Sequence, residues 1–198
     1  MLSKPLQPTL ESAIGIDDRT QEFFEAYSGS VPVRLVDVVS KLGDQPELRL
    51  IAGALIAAGT FTPNARLVRA GARMLIAHEA ATLAKDLIKA QIDRTRPRSA
   101  TSRNGKKPRK GKHTAKEKTS FPSGHSAGAV AAARAFSREF PEYGIAAMGA
   151  AGLVAASQVV RCAHYPTDVA AGAAIGLAVE AATSAAWDAA SMDERAID

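Results

Sequence analysis

The sequence predicts an all-α fold: a helical bundle of about six to seven helices with its active site at the helix ends. Three observations lead there. Proline and glycine punctuate the chain at the edges of apolar stretches that recur with helical period. Hydrophobic residues make up 46% of the sequence but aromatics only 5%, so Ala, Val, Leu and Ile must do the packing, which suits closely approaching helices. Strand alternation is almost missing. With 198 residues the chain can bury one core but not two.

Taken in order, Asp17 or Asp18 is placed to cap a first amphipathic helix carrying Phe23, Phe24 and Tyr27 and ended by Gly29. Pro32 opens a second, with Leu35, Val36, Val38, Val39 and Leu42 on one side and Gly43 after it. Pro46 begins a third, running to about Gly59. Pro63 begins the longest, which reaches about Ile92 with Leu67, Leu75, Ile76, Leu83, Leu87 and Ile88 at helical spacing. Ser123 caps a fifth helix that stops before Pro141, and a sixth extends from Pro141 to about Ala163. Pro166 starts a seventh, where Gly172 and Gly176 stand four apart, a spacing that lets two helices come close. The acidic stretch from Asp188 is expected to fray, and there is no internal repeat. The organisation expected is an N-terminal amphipathic segment (residues 1–45), a helical core (46–190) carrying a basic loop (94–120), and an acidic tail (191–198).

The formal charge of +5 is concentrated rather than spread. From Arg94 to Lys118, basic residues alternate with Ser, Thr, Gly and Pro without apolar periodicity, which reads as a solvated loop. The single Cys162 excludes an internal disulfide and any multi-cysteine metal site. Residues 1–16 lack the apolar run of a secretory leader. Leu50–Phe61, Gly144–Val160 and Val169–Trp187 are short, rich in Ala and Gly, or interrupted by Glu180, so packed membrane helices and buried helices of a soluble bundle both fit.

Chemistry gathers in three places. Lys89 and Arg96, followed by Pro97, are about two helical turns apart. They can face one way if the helix persists that far, the planar fork of Arg gripping phosphate oxygens while Lys adds a mobile charge. A solvated basic helix end is the plainer alternative. Pro122-Ser123-Gly124-His125 would offer a hydroxyl and free backbone N–H groups to an anion at a helix start, with His125 placed to donate a proton; a simple capped helix is the alternative. In His164-Tyr165-Pro166-Thr167-Asp168, the carboxylate can fix the tautomer of the imidazole so that its other nitrogen attacks phosphorus. Asp168 acting only as a helix-start residue is the alternative there.

As an ordered triplet, Lys89-x6-Arg96-Pro97, Pro122-Ser123-Gly124-His125 and His164-x3-Asp168 resemble the three signature segments of the type 2 phosphatidic acid phosphatase family, related in scaffold to vanadium haloperoxidases and class A acid phosphatases. The resemblance spans Lys89 to Asp168. It implies a phosphatase needing no cofactor or metal, with His164 as nucleophile, Asp168 as its orienter and His125 as general acid. Lys89, Arg96, Ser123 and Gly124 would hold the phosphate. One position departs: the family has an Arg six residues before the nucleophilic His, where this chain has Gln158. Arg161, about one turn later, is the expected substitute.

The function expected is hydrolysis of a phosphate monoester or diphosphate, lipid-linked, through a phosphohistidine. The family suggests an enzyme of a bacterial-type inner membrane with the site at the outer face, whereas the basic loop favours the cytoplasmic side; a soluble cytoplasmic bundle is the alternative location. No nucleic-acid partner is expected of the enzyme. A non-catalytic helical protein binding anionic lipid or nucleic acid through the loop is the competing class, and a vanadate-filled pocket oxidising halide is a third. Elsewhere, His78 reads as a packed or surface helix residue and His113 as solvated. Glu79, Asp86 and Asp93, seven apart, read as an exposed stripe.

Overall fold

The computed structural model describes residues 7–26, 31–100 and 106–197. Among them are seven α-helices: α1 (Gln7–Glu25), α2 (Val31–Lys41), α3 (Gln45–Phe61), α4 (Ala65–Lys89), α5 (Gly124–Glu139), α6 (Gly144–Val160) and α7 (Pro166–Ile197). Between α4 and α5, the strands β1 (Ile92–Asp93) and β2 (Arg109–Lys110) pair antiparallel, Ile92 opposite Lys110.

Helix α5 is the axis of the bundle, with α4, α6 and α7 packed around it and α3 against α4. Its alanines are what allow this. Ala131, Ala132 and Ala135 meet Leu48 and Ala52 of α3 and Met74, Ala77 and Ala81 of α4, while Ala129 and Val130 meet Ala151 and Val154 of α6. Methyl-sized side chains bring the backbones close. Gly172 and Gly176 complete that approach on α7, since a Cβ at either would run into the carbonyl of Ser123 or of Ala127. At the end of the bundle away from the site, Glu180 is fully buried and is neutralised by Arg138 at 2.9 Å and Arg134 at 3.4 Å, with Ser184 donating to it at 2.6 Å.

Several expectations need correction. Helix α1 starts well before Asp17 and Asp18, which lie mid-helix, Asp17 buried; Tyr27 and Gly29 fall outside the described residues. Asn64, not the proline before it, caps α4, accepting from the N–H groups of Arg66 and Leu67. That helix stops at Lys89 instead of Ile92, because the chain turns into β1. The cause is Asp93, which is buried, accepts from the His113 N–H at 2.9 Å and pairs with the His113 ring, while Gly111 leaves room for its carboxylate. The exposed stripe therefore does not include Asp93, and His113 is paired rather than merely solvated. Within the basic loop, Pro97–Ser99 and Lys116–Lys118 form 3-10 turns. Pro141–Tyr143 form a 3-10 turn ahead of α6, and α7 continues through Ile197 where fraying was expected.

Substituting Gly172 by Val tests the close approach of α7 to α5. The overpacking should cost about 1–3 kcal/mol, read from denaturant unfolding followed by helical circular dichroism; an unchanged midpoint would show that the interface has slack.

Candidate active site

Three helix ends and two loops meet around one cavity of about 460 Å³, lined by residues 43–47, Lys85, Lys89, Arg96, Gly124, His125 and His164. Both histidines singled out in the sequence open onto it. Lys89 and Arg96 also share it, though for a different reason than continuous helix: the turn into β1 carries Arg96 back beside the end of α4.

His164 owes its place to the way α6 ends. Cys162 adopts a left-handed backbone (φ 48°), the Cys162 N–H bonds the Val159 carbonyl at 2.9 Å, and the Ala163 N–H bonds the Gln158 carbonyl at 3.0 Å. This is the two-bond helix stop usually built around glycine. It turns the chain sharply, and the His164 N–H reaches the same Gln158 carbonyl at 3.1 Å. Pro166 then starts α7, and Asp168 in its first turn reaches back to accept from the Tyr165 N–H at 3.0 Å. Asp168 is thus both a helix-start residue and the neighbour of the imidazole.

The Nδ1 of His164 lies 3.7 Å from Asp168 Oδ2, within ion-pair range but longer than a hydrogen bond. Burial, only partly offset by Asp168, lowers the pKa of His164 to about 4. The ring is therefore neutral near pH 7 and keeps a nucleophilic lone pair. The carboxylate of Asp168 is held from every side: Arg94 donates to Oδ1 at 2.5 Å, and Ser120 Oγ donates to Oδ2 at 2.5 Å. Arg94, taken from the sequence as part of a solvated loop, is almost wholly buried. Its other nitrogen donates to Asp17 at 2.6 Å, and its guanidinium stacks 4.0 Å from the centre of the Tyr165 ring. No sequence signal marked it, since Asp17 and Asp168 are 77 and 74 residues away.

His125, in the first turn of α5, has a partner that the sequence did not suggest. Its Nε2 lies 2.6 Å from Asp44 Oδ1. Asp44 precedes α3 and has the extended backbone of a capping residue, yet its side chain makes no capping bond. Burial lowers the pKa of His125, and Asp44 opposes that shift, while Arg161 and Arg96 add to it.

The cationic wall consists of Lys85, Lys89 and Arg96, of which Lys85 was missed at the sequence level. Burial, together with the nearby Lys85 and Arg96, lowers the pKa of Lys89 to about 8. Arg96 is fixed by its Nε donating to the Lys116 carbonyl at 2.8 Å and its Nη1 to that of Ala163 at 3.5 Å.

Two expected phosphate contacts are placed otherwise. The backbone N–H of Ser123 is spent on the Asp168 carbonyl at 3.0 Å, and its buried Oγ caps α5, accepting from the N–H and hydroxyl of Ser126; Gly124 is the residue of that pair that lines the cavity. Arg161 is turned to α2, where it pairs with Asp37 and Ser40, and it does not line the cavity. Gln158 is buried and donates to the same Ser40 at 2.8 Å. The position where an Arg was expected therefore serves to anchor α2. At the cavity wall, Lys85 pairs with Asp86 at 2.6 Å; away from the cavity, His78 is packed against Gly128 and Glu79 pairs with Arg49.

Replacing Arg94 by Met would leave Asp17 and Asp168 as uncompensated buried carboxylates. Breaking such a network from one side costs about 3–5 kcal/mol, and a loss below about 1 kcal/mol in chemical denaturation would contradict the assignment.

Comparison with known proteins agrees with this fold. The fold is similar to the transmembrane PAP2-type phosphatidylglycerolphosphate phosphatase of Bacillus subtilis, at 19% identity and TM-score 0.65, over 94% of this chain and 88% of that one. It is also similar to LpxE of Aquifex aeolicus, at 18% identity and TM-score 0.59, over 81% of this chain and 89% of that one. No curated protein matches. The family model described as the PAP2 superfamily matches residues 70–191, which takes in all three motifs and most of the bundle, and the chain belongs to that superfamily.

Proposed function

We propose that this protein is a phosphatase that hydrolyses a lipid-linked phosphate monoester or diphosphate by passing the phosphoryl group through a phosphohistidine. The observation that carries the reading is the meeting of His164, His125, Lys89 and Arg96 around one cavity. His164, neutral and turned with Nδ1 toward Asp168, attacks phosphorus with its other nitrogen. His125 protonates the departing oxygen, water then attacks the phosphohistidine, and His125 takes up the proton released. Lys85, Lys89, Arg96 and the free N–H groups at the start of α5 stabilise the charge that spreads over the phosphoryl oxygens. The scheme draws on no metal or cofactor.

The lipid and membrane part of the proposal rests on surface chemistry. Residues Pro141–Val160 and Pro166–Met192 are long and apolar enough to cross a bilayer, and in an apolar 18-residue stretch of each only 28% and 22% of the residues are buried within the protein. Ile145, Leu153 and Leu177 point outward. A protein of the bacterial inner membrane, acting on substrate held there, accounts for such faces. In this reading residues 46–190 are the catalytic core, while the segment of residues 1–45 is bound into it by Asp17 and Asp44 rather than standing apart.

Two measurements test this. His164→Ala should release phosphate from a water-soluble phosphomonoester at least about 10³-fold more slowly than wild type, and equal rates end the proposal. The pH profile of kcat/KM should be bell-shaped with its maximum below neutrality. It rises near pH 4 as His164 loses its proton, and falls below the ordinary histidine value of about 6.5 as His125 loses its own. Lys89 stays charged until about pH 8, so it does not set the falling limb. An optimum above pH 8 contradicts these roles.

A further inference from the structure

Asp44 lies outside the part of the chain that matches the family, which begins at residue 70, yet it makes the shortest polar contact of His125, Nε2 to Oδ1 at 2.6 Å. Several features press it there. Gly43 has no room for a side chain: a Cβ would overlap Val154 and come within 3.5 Å of the His125 ring. The segment before it is pinned to α6 twice, through Ser40 with Gln158 and through Asp37 with Arg161. Asp44 also gives up the capping bond that its backbone (φ −70°, ψ 149°) would allow. A side chain diverted from its local role, on a loop packed against the ring, is placed to act on the ring.

We propose that Asp44 is the positioning residue for His125, fixing the imidazole by Nε2 and holding it as an imidazolium until the leaving oxygen takes the proton. This deepens the phosphatase reading and rests on it. The need for such a carboxylate follows from the surroundings. Arg161 at the end of α6, Arg96 after β1, and Lys85 and Lys89 on α4 bring positive charge toward His125, and neutral His164 shares its cavity. Burial and those cations favour the neutral ring. Of the two carboxylates that line the cavity, Asp44 and Glu47, Asp44 is the one in contact with the ring and the one that opposes them.

The step balances with Asp44 as a spectator to the bonds. The lone pair of His164 forms the N–P bond, the P–O pair leaves with the departing oxygen, and that oxygen receives the His125 proton. Asp44 then accepts a hydrogen bond from a neutral ring. In the second step the water oxygen forms the new O–P bond, its proton passes to His125, and the N–P pair returns to His164.

The prediction separates leaving groups. An alkyl phosphate needs its leaving oxygen protonated, whereas a nitrophenyl phosphate does not. Asp44→Asn should therefore lower kcat/KM for the alkyl ester by about 10- to 100-fold and for the nitrophenyl ester by less than about 3-fold. The falling limb of the pH profile should move about one unit toward acid. Nuclear magnetic resonance titration of labelled histidine should show the His125 midpoint fall in Asp44→Asn, with circular dichroism confirming an intact fold. Equal losses on both esters with an unmoved limb, or an unchanged His125 midpoint, overturn the assignment. If wild type releases no phosphate from either ester, the phosphatase reading fails separately, and the His125 midpoint still decides the role of Asp44.

Discussion

The structure depends on a buried cation. Arg94 has almost no contact with solvent and holds two buried carboxylates, Asp168 and Asp17, at 2.5 and 2.6 Å. A guanidinium can remain charged in such a place only if its charge and its donors are satisfied. Here Asp17, Asp168, Thr167 and the Lys106 carbonyl accept from it, and the Tyr165 ring covers its face. These partners come from α1, from the excursion between α4 and α5, and from the start of α7. One side chain thus joins the N-terminal helix to the two segments that hold the catalytic candidates. Because Asp168 is fixed by Arg94 and Ser120, His164 faces a carboxylate whose position is settled before substrate arrives.

The apolar framework brings the helix ends together. Alanine and glycine along α5 and α7 let the helices lie close, so that the end of α4, the starts of α3 and α5 and the turn between α6 and α7 converge. A core of larger side chains would hold them farther apart. The cavity is therefore a consequence of small residues in the bundle as much as of charged residues at its rim. The chain's positive charge follows a related division. The cations at the far end of the bundle are matched by Glu139, Glu142, Glu180 and Asp188, whereas Lys89 and Arg96 at the site face a cavity that they share with Asp44 and Glu47.

Much of this was legible from local pattern. Apolar period and proline punctuation gave the seven helices and most of their starts, and the small-residue pair Gly172 and Gly176 marked the close interface. The motifs named both histidines, Lys89, Arg96, Gly124 and Asp168, and the structure brings them together. Ser123 and Arg161 were identified as phosphate contacts but are occupied elsewhere, by the cap of α5 and by α2.

What the sequence by itself determined is whatever arises between neighbours in the chain: helical period, the proline break between His164 and Asp168, and the cap at Ser123. Only the tertiary structure decided that Arg94 is buried while Arg98, Lys107, Arg109, Lys110 and Lys112 are exposed, that Asp44 contacts His125 instead of capping α3, and that Gln158 and Arg161 fasten α2. Each of these is a polar pairing across 70 residues or more. Such a pairing leaves no trace in local composition, because the energy that selects it is the desolvation of a charge, which exists only once the partner has been carried alongside.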